Sequence, residues 1–120
     1  MEKEDNHILN HIKGVKDWPS FFATIQEHPI SMMGYGGKSI NTLEGMMTGI
    51  CWAQILHNVP EDECLSGFDW GGFDEWLIDK YKLEPDEYSG SHQLARDEAD
   101  SDKKAFVLWM QWFDEFTSKR

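Results

Sequence analysis

Gly34-Tyr35-Gly36-Gly37-Lys38-Ser39 is the stretch whose residue types come nearest to chemistry. Glycines that free backbone amides, with a lysine and a hydroxyl opening a helix, are the materials of a phosphate-binding loop. The spacing excludes it: a Walker loop needs glycine five residues before Gly37, where this chain has Met32, and no preceding hydrophobic strand or later Walker-B acid supports it. A turn followed by a helix cap accounts for the same residues. His7 and His11 lie four apart and could share a helix face, yet no Glu follows His7 and a third metal ligand is not evident. Cys51 and His57 are separated by about 600° of helical rotation, which aims a thiol and its would-be base at different faces. Asp97, Glu98, Asp100 and Asp102 supply acids for a calcium loop. Counting from Asp97, however, the sixth position holds Asp102 instead of Gly and the twelfth Leu108 instead of Glu. Carboxylate pairs among twenty-two acids arise by chance and single out nothing. The residues therefore predict no catalytic group, no metal, no cofactor and no enzyme.

What remains is a binding surface. Residues 61–102 hold fourteen of the twenty-two acids against Lys80, Lys82 and Arg96, and this segment alone carries the whole net charge of −11. Elsewhere eight acids are matched by eight bases. Such a balance repels a phosphate backbone, so direct nucleic-acid binding is excluded as a first reading. Like charges crowded onto neighbouring turns repel one another, and a basic protein docking there would relieve that cost; a solvated face is the plainer alternative. Trp70 stands out within Gly67-Phe68-Asp69-Trp70-Gly71-Gly72, where an aromatic could staple a loop or anchor a partner. The other tryptophans and the pairs Met32-Met33 and Met46-Met47 read as core.

The elements that must carry this surface follow from hydrophobic periodicity. With 120 residues, 40% hydrophobic and sixteen aromatics, the chain reads as one compact domain over 1–120. Its start lacks the pattern of a secretory signal and no run of about 18 apolar residues could span a bilayer, so a soluble cytoplasmic protein with reduced, structural Cys51 and Cys64 is expected. Ile8, Leu9, Ile12 and Val15 predict a first helix over 5–16. Asp17-Trp18-Pro19 opens a second, with Pro19 at the first helical position and Phe21, Phe22 and Ile25 inward, stopped at His28-Pro29.

A central helix is expected over 39–58, capped by Ser39 and ended before Pro60, with Gly45 and Gly49 admitting a close helix crossing. A connection over 59–72 follows. Phe73, Trp76, Leu77 and Tyr81 predict the next helix, which turns Asp74 and Glu75 outward near its start. A brief segment after Ser89-Gly90-Ser91 runs to about Glu98, and a last helix capped by Ser101 carries the stripe Ala105, Phe106, Trp109, Trp112, Phe113 and Phe116. The sum is an all-α bundle of five to seven helices, with a small sheet from 30–36 and 59–70 as the alternative.

The order Gly37-Lys38-Ser39-Ile40 with Leu43 and Gly49, Phe73 with Trp76-Leu77 and Lys80-Tyr81, Ser91-His92, Lys104-Ala105-Phe106 and Phe113-Asp114-Glu115-Phe116 resembles a family of small all-helical bacterial proteins. These include immunity proteins of polymorphic and contact-dependent growth inhibition toxins, and the resemblance covers roughly residues 28–116. Its motifs are mostly packing and capping residues, so they bear on fold more than on partner. Where the family has an Arg-Pro-Gly-Met-Tyr-Leu-Gly kind of segment, this chain has His28-Pro29-Ile30-Ser31-Met32-Met33-Gly34. The resemblance implies an immunity protein that neutralises a cognate toxin C-terminal domain, a basic nuclease such as an RNase, as a monomer in a 1:1 complex. Neutralisation would come from occluding the active site or substrate entry. On that reading Asp69, Asp74, Glu75, Asp86, Glu87, Asp97, Glu98 and Asp100 face the toxin, with Trp70 and Tyr88 as anchors. An acidic adaptor for another basic cytoplasmic protein is the runner-up.

Overall fold

The computed structural model describes residues 12–118. Six α-helices occur among them: α1 (Trp18–Glu27), α2 (Pro29–Met33), α3 (Ile40–Leu56), α4 (Trp70–Lys80), α5 (Ser91–Glu98) and α6 (Asp102–Ser118), with 3₁₀ turns at Glu61–Glu63 and Pro85–Glu87. The fold is all-α. No strand occurs among the described residues, so the alternative small sheet does not form; residues 29–33 are helical instead. Most of the helix expected over 5–16, with His7 and His11, lies outside the described residues. Among those described, no helix is long and apolar enough to cross a membrane.

The chain divides into two compact units. One comprises the described residues up to Gly37 with Met47–Phe68; the other comprises Lys38–Met46 with the described residues from Asp69 onward. Helix α3 contributes to both.

In the first unit, Asp17 starts α1 through a reciprocal cap. Its Oδ1 accepts from the Ser20 amide at 2.8 Å, and Ser20 Oγ accepts from the Asp17 amide at 3.1 Å. Trp18 takes the first helical position and Pro19 the second, one residue later than the sequence predicts. The Trp18 amide donates to the Ser66 carbonyl at 2.9 Å, which ties the helix start to the following loop. Trp18, Phe21, Phe22 and Ile25 are buried, and burying Phe22 and Ile25 completely is worth about 1.5–3 kcal/mol each. Phe68 closes against Phe22 edge-on at 6.3 Å. Gly67 has φ +84, and a Cβ there would come within 3.3 Å of Asp17 Cβ, so both backbone conformation and close approach demand glycine.

In the second unit, α6 buries Ala105, Phe106, Trp109, Met110, Trp112, Phe113 and Phe116, which includes the whole predicted stripe. Phe73 of α4 meets Trp109 at 5.6 Å and Phe116 at 5.4 Å, both edge-on. Trp112 donates its indole N–H to Tyr81 Oη at 3.0 Å, so a buried polar edge is satisfied inside the aromatic layer. Helix α5 packs on α6 through Leu94 and Ala95. Ser101 caps α6 as expected, accepting from the Lys104 amide at 3.1 Å.

Three expectations change. Helix α4 begins at Trp70, not Phe73, because Asp69 caps it by accepting from the Gly72 amide at 2.9 Å. Trp70, Gly71 and Gly72 are thus its first turn, not part of a connection. Gly45 and Gly49 admit no close crossing, since nothing lies within 4 Å of a Cβ placed on either. Nor is α3 a central helix along its length. Ile40, Leu43 and Met47 are buried, whereas Trp52, Ile55 and Leu56 are 61%, 72% and 68% exposed. Apolar residues surround the second half of α3 instead of forming one stripe, so periodicity could not mark which side is covered.

Candidate functional site

The residues singled out for partner binding all belong to the second unit, and the structure distributes them over four local settings. Asp69 is the exposed cap of α4, with half-buried Trp70 as the first helical residue. One turn on, Asp74 is half-buried and Glu75 exposed. Asp86 and Glu87 are exposed on the turn Pro85–Glu87, where the Glu84 amide donates to Glu87 Oε1 at 3.0 Å. Asp97, Glu98 and Asp100 gather at the α5–α6 junction; Asp97 accepts from Gln93 Nε2 at 2.9 Å, and Asp100 pairs with Lys104 at 3.2 Å. The contact that brings distant members together is a short hydrogen bond from Tyr88 Oη to Asp74 Oδ1. Burial, then that bond and the Asp74 charge, push the Tyr88 hydroxyl far above its ordinary pKa, with Ser91 opposing, so Tyr88 is a permanent donor.

Beside Tyr88 lies a polar network that sequence reasoning missed. Ser91 is buried, and its Oγ accepts from the indole N–H of Trp109 at 2.9 Å. His92 lies against the same indole, and its Nδ1 stands 3.8 Å from Glu44 Oε2. Glu44 Oε1 in turn takes a very short bond from Arg96, whose Nε donates to Asn41 Oδ1 at 2.8 Å. The Asn41 amide donates to Asp102 Oδ1 at 3.0 Å, closing the chain at the start of α6. Burial lowers the His92 pKa; Glu44 and Asp74 oppose this and Arg96 reinforces it, so the imidazole is neutral at pH 7.

Ser91, His92 and two carboxylates are the residue types of a hydrolytic triad, but the geometry assigns them to packing. Adjacent helical residues point about 100° apart, so His92 cannot take a proton from Ser91. The serine oxygen is committed to Trp109 and buried. A shallow cleft of about 270 Å³ opens instead at Asn41, Arg96, Ala99, Asp100, Ser101 and Asp102, where Arg96 is already paired. Among the described residues no group of three or more His, Cys, Asp or Glu is placed to hold a metal ion. The one signal that could have found the network was Ser91-His92, which repeats no spacing that single-sequence chemistry recognises.

The first unit presents a different surface. Cys51, Gln54, Ile55, Asn58, Val59 and Cys64 line an open groove of about 470 Å³, bordered by the turn Glu61–Glu63. Both cysteines are free thiols. Cys64 is half-buried with its Sγ 3.7 Å from the Val59 carbonyl, whereas Cys51 is exposed, so only Cys64 has the structural role predicted for both. Trp52, Ile55 and Leu56 stand at i, i+3 and i+4 on the adjoining helix face. The sequence reading assigns Trp52 to the core with the other tryptophans, and the structure instead leaves it exposed. No protein-family model, curated protein or solved structure matches the chain.

Proposed function

We propose that the protein acts by binding and neutralising a basic protein domain, as the immunity partner of a bacterial toxin of the nuclease kind. One observation carries this reading. Of the fourteen acids in residues 61–102, thirteen are exposed and only Asp74 is half-buried. A field of that sign and density meets a domain built to hold nucleic acid with complementary charge, and raises association rates toward about 10⁸–10⁹ M⁻¹s⁻¹ at low salt. Affinity would then come from apolar anchors that slow dissociation. The polar network around His92 supports the same reading, because it ties α5 to α3 and α6 before the partner arrives, lowering the ordering cost of binding.

The test pairs the protein, expressed in the cytoplasm, with the C-terminal region of the product of its neighbouring upstream gene. Toxicity of that region alone, rescue of growth on co-expression and a stable 1:1 complex are expected. A non-toxic neighbour that still binds would move the protein to the adaptor class, and a toxic neighbour that it neither binds nor neutralises would sink the immunity reading.

A further inference from the structure

The proposed function needs a buried anchor, and the sequence placed it at Trp70 and Tyr88. The structure offers a stronger one in the first unit. Trp52, Ile55 and Leu56 leave about two thirds of their surface in water on one helical face, although covering large apolar side chains is favourable. Ile55 also lines the groove whose far edge is Val59 and Cys64. The groove is a built feature. The Asn58 amide donates to the Ile55 carbonyl at 3.1 Å, the Val59 amide to the Gln54 carbonyl at 3.0 Å, and the Leu65 amide to Gln54 Oε1 at 2.9 Å. Its two sides are therefore stitched together through Gln54.

Charge says what covers this face. The bordering turn is Glu61-Asp62-Glu63, all three exposed, and among the described residues no ion pair engages any of them. Residues 47–68 contain no lysine or arginine, so this stretch cannot neutralise its own edge. An apolar patch with an acidic border, formed by a stretch without lysine or arginine, complements an apolar anchor ringed by Lys or Arg. The same border repels an anionic membrane, which would otherwise accept Trp52.

We infer that the second half of α3 with the Glu61–Glu63 turn is a docking surface for a cationic amphipathic segment of a partner protein, its apolar side on Trp52, Ile55 and Leu56 and its cations on the acidic turn. This rests on the proposed function for the partner's basic character and adds where it docks.

The test uses the full chain, isotopically labelled, titrated by NMR with two synthetic peptides of equal length and positive charge, one of leucine and lysine and one of serine and lysine. The leucine peptide is expected to shift the amides of residues 51–64 and the Trp52 indole saturably, and the serine peptide to bind there far more weakly. The double variant Trp52→Ala with Ile55→Ser is expected to lose roughly thirtyfold in affinity for the leucine peptide, the loss of one strong anchor, with an unchanged melting temperature because both side chains are exposed. Shifts confined to residues 69–102, equal binding of both peptides, or an undiminished double variant overturns the docking surface while leaving the growth-rescue test of function intact. So does a self-associated dimer in sedimentation that covers Trp52 without peptide.

Discussion

The His92 imidazole lies flat on the Trp109 indole, with ring centroids 5.3 Å apart and planes within 7°. The edge of that indole donates to Ser91, one residue before His92. Two consecutive residues of α5 thus hold one tryptophan of α6 by its face and by its edge. The pair orients α5 on α6 as a hinge pin would, by two perpendicular constraints instead of by area alone.

Ser91→Ala should cost about 1–3 kcal/mol, because it leaves the buried indole N–H of Trp109 without an acceptor. Trp109→Phe removes the same donor, so combining it with Ser91→Ala should cost less than the sum of the single changes. Urea unfolding of the double-mutant cycle measures that difference; strict additivity would mean that the hydrogen bond contributes nothing.

Acid should weaken the fold through His92. Its folded pKa lies below the unfolded value, chiefly from burial, so the unfolded chain binds the extra proton first. The contribution is complete above the unfolded pKa near 6.5 and declines as pH falls from there toward the lowered folded value. Glu44, Asp74 and Arg96 are the charged groups that set the shift, and the carboxylates limit it. His92→Phe keeps a ring on Trp109 without titrating, so its stability should vary less than wild type between pH 7 and pH 5, by thermal unfolding across that range.

The glycines should divide by context. Gly72→Ala would drive a methyl group into the Asp69 carboxylate that caps α4, losing about 1 kcal/mol, comparable to Asp69→Ala. Gly45→Ala and Gly49→Ala meet open space inside α3 and should each stabilise by about 0.5–1 kcal/mol. Melting temperatures of the four variants read this directly, and destabilisation at Gly45 would show that a neighbour crosses there after all.

For charge steering the structure separates two adjacent acids. Asp74 holds the Tyr88 hydroxyl, so Asp74→Lys would disturb packing as well as charge. Glu75 and Glu98 are exposed, and, for the basic partner proposed above, Glu75→Lys with Glu98→Lys should slow association by roughly tenfold at low salt and flatten its salt dependence, while dissociation stays constant. Stopped-flow binding at several ionic strengths checks this; unchanged association would remove α4 and α5 from the steering surface.

The sequence by itself determined the parts of this protein that depend on neighbours along the chain. Asp17 before Pro19, Ser39 and Ser101 before helical runs, and a wide stripe from Ala105 to Phe116 specify helices, caps and one buried face, because capping bonds and the 3.6-residue period are local. The concentration of acids in residues 61–102 was equally legible, since charge needs no partner to be counted. Tertiary structure alone decided the rest. It joined Glu44 to Arg96 across 52 positions and Tyr88 to Asp74 across 14, and so turned scattered polar residues into one network. It also left Trp52, Ile55 and Leu56 in water, although their side chains are as apolar as those of Leu43 and Met47 inside. The reason is that hydrophobicity states what a side chain gains by burial, while only the packing of remote elements determines which apolar face of α3 is covered and which is left in water.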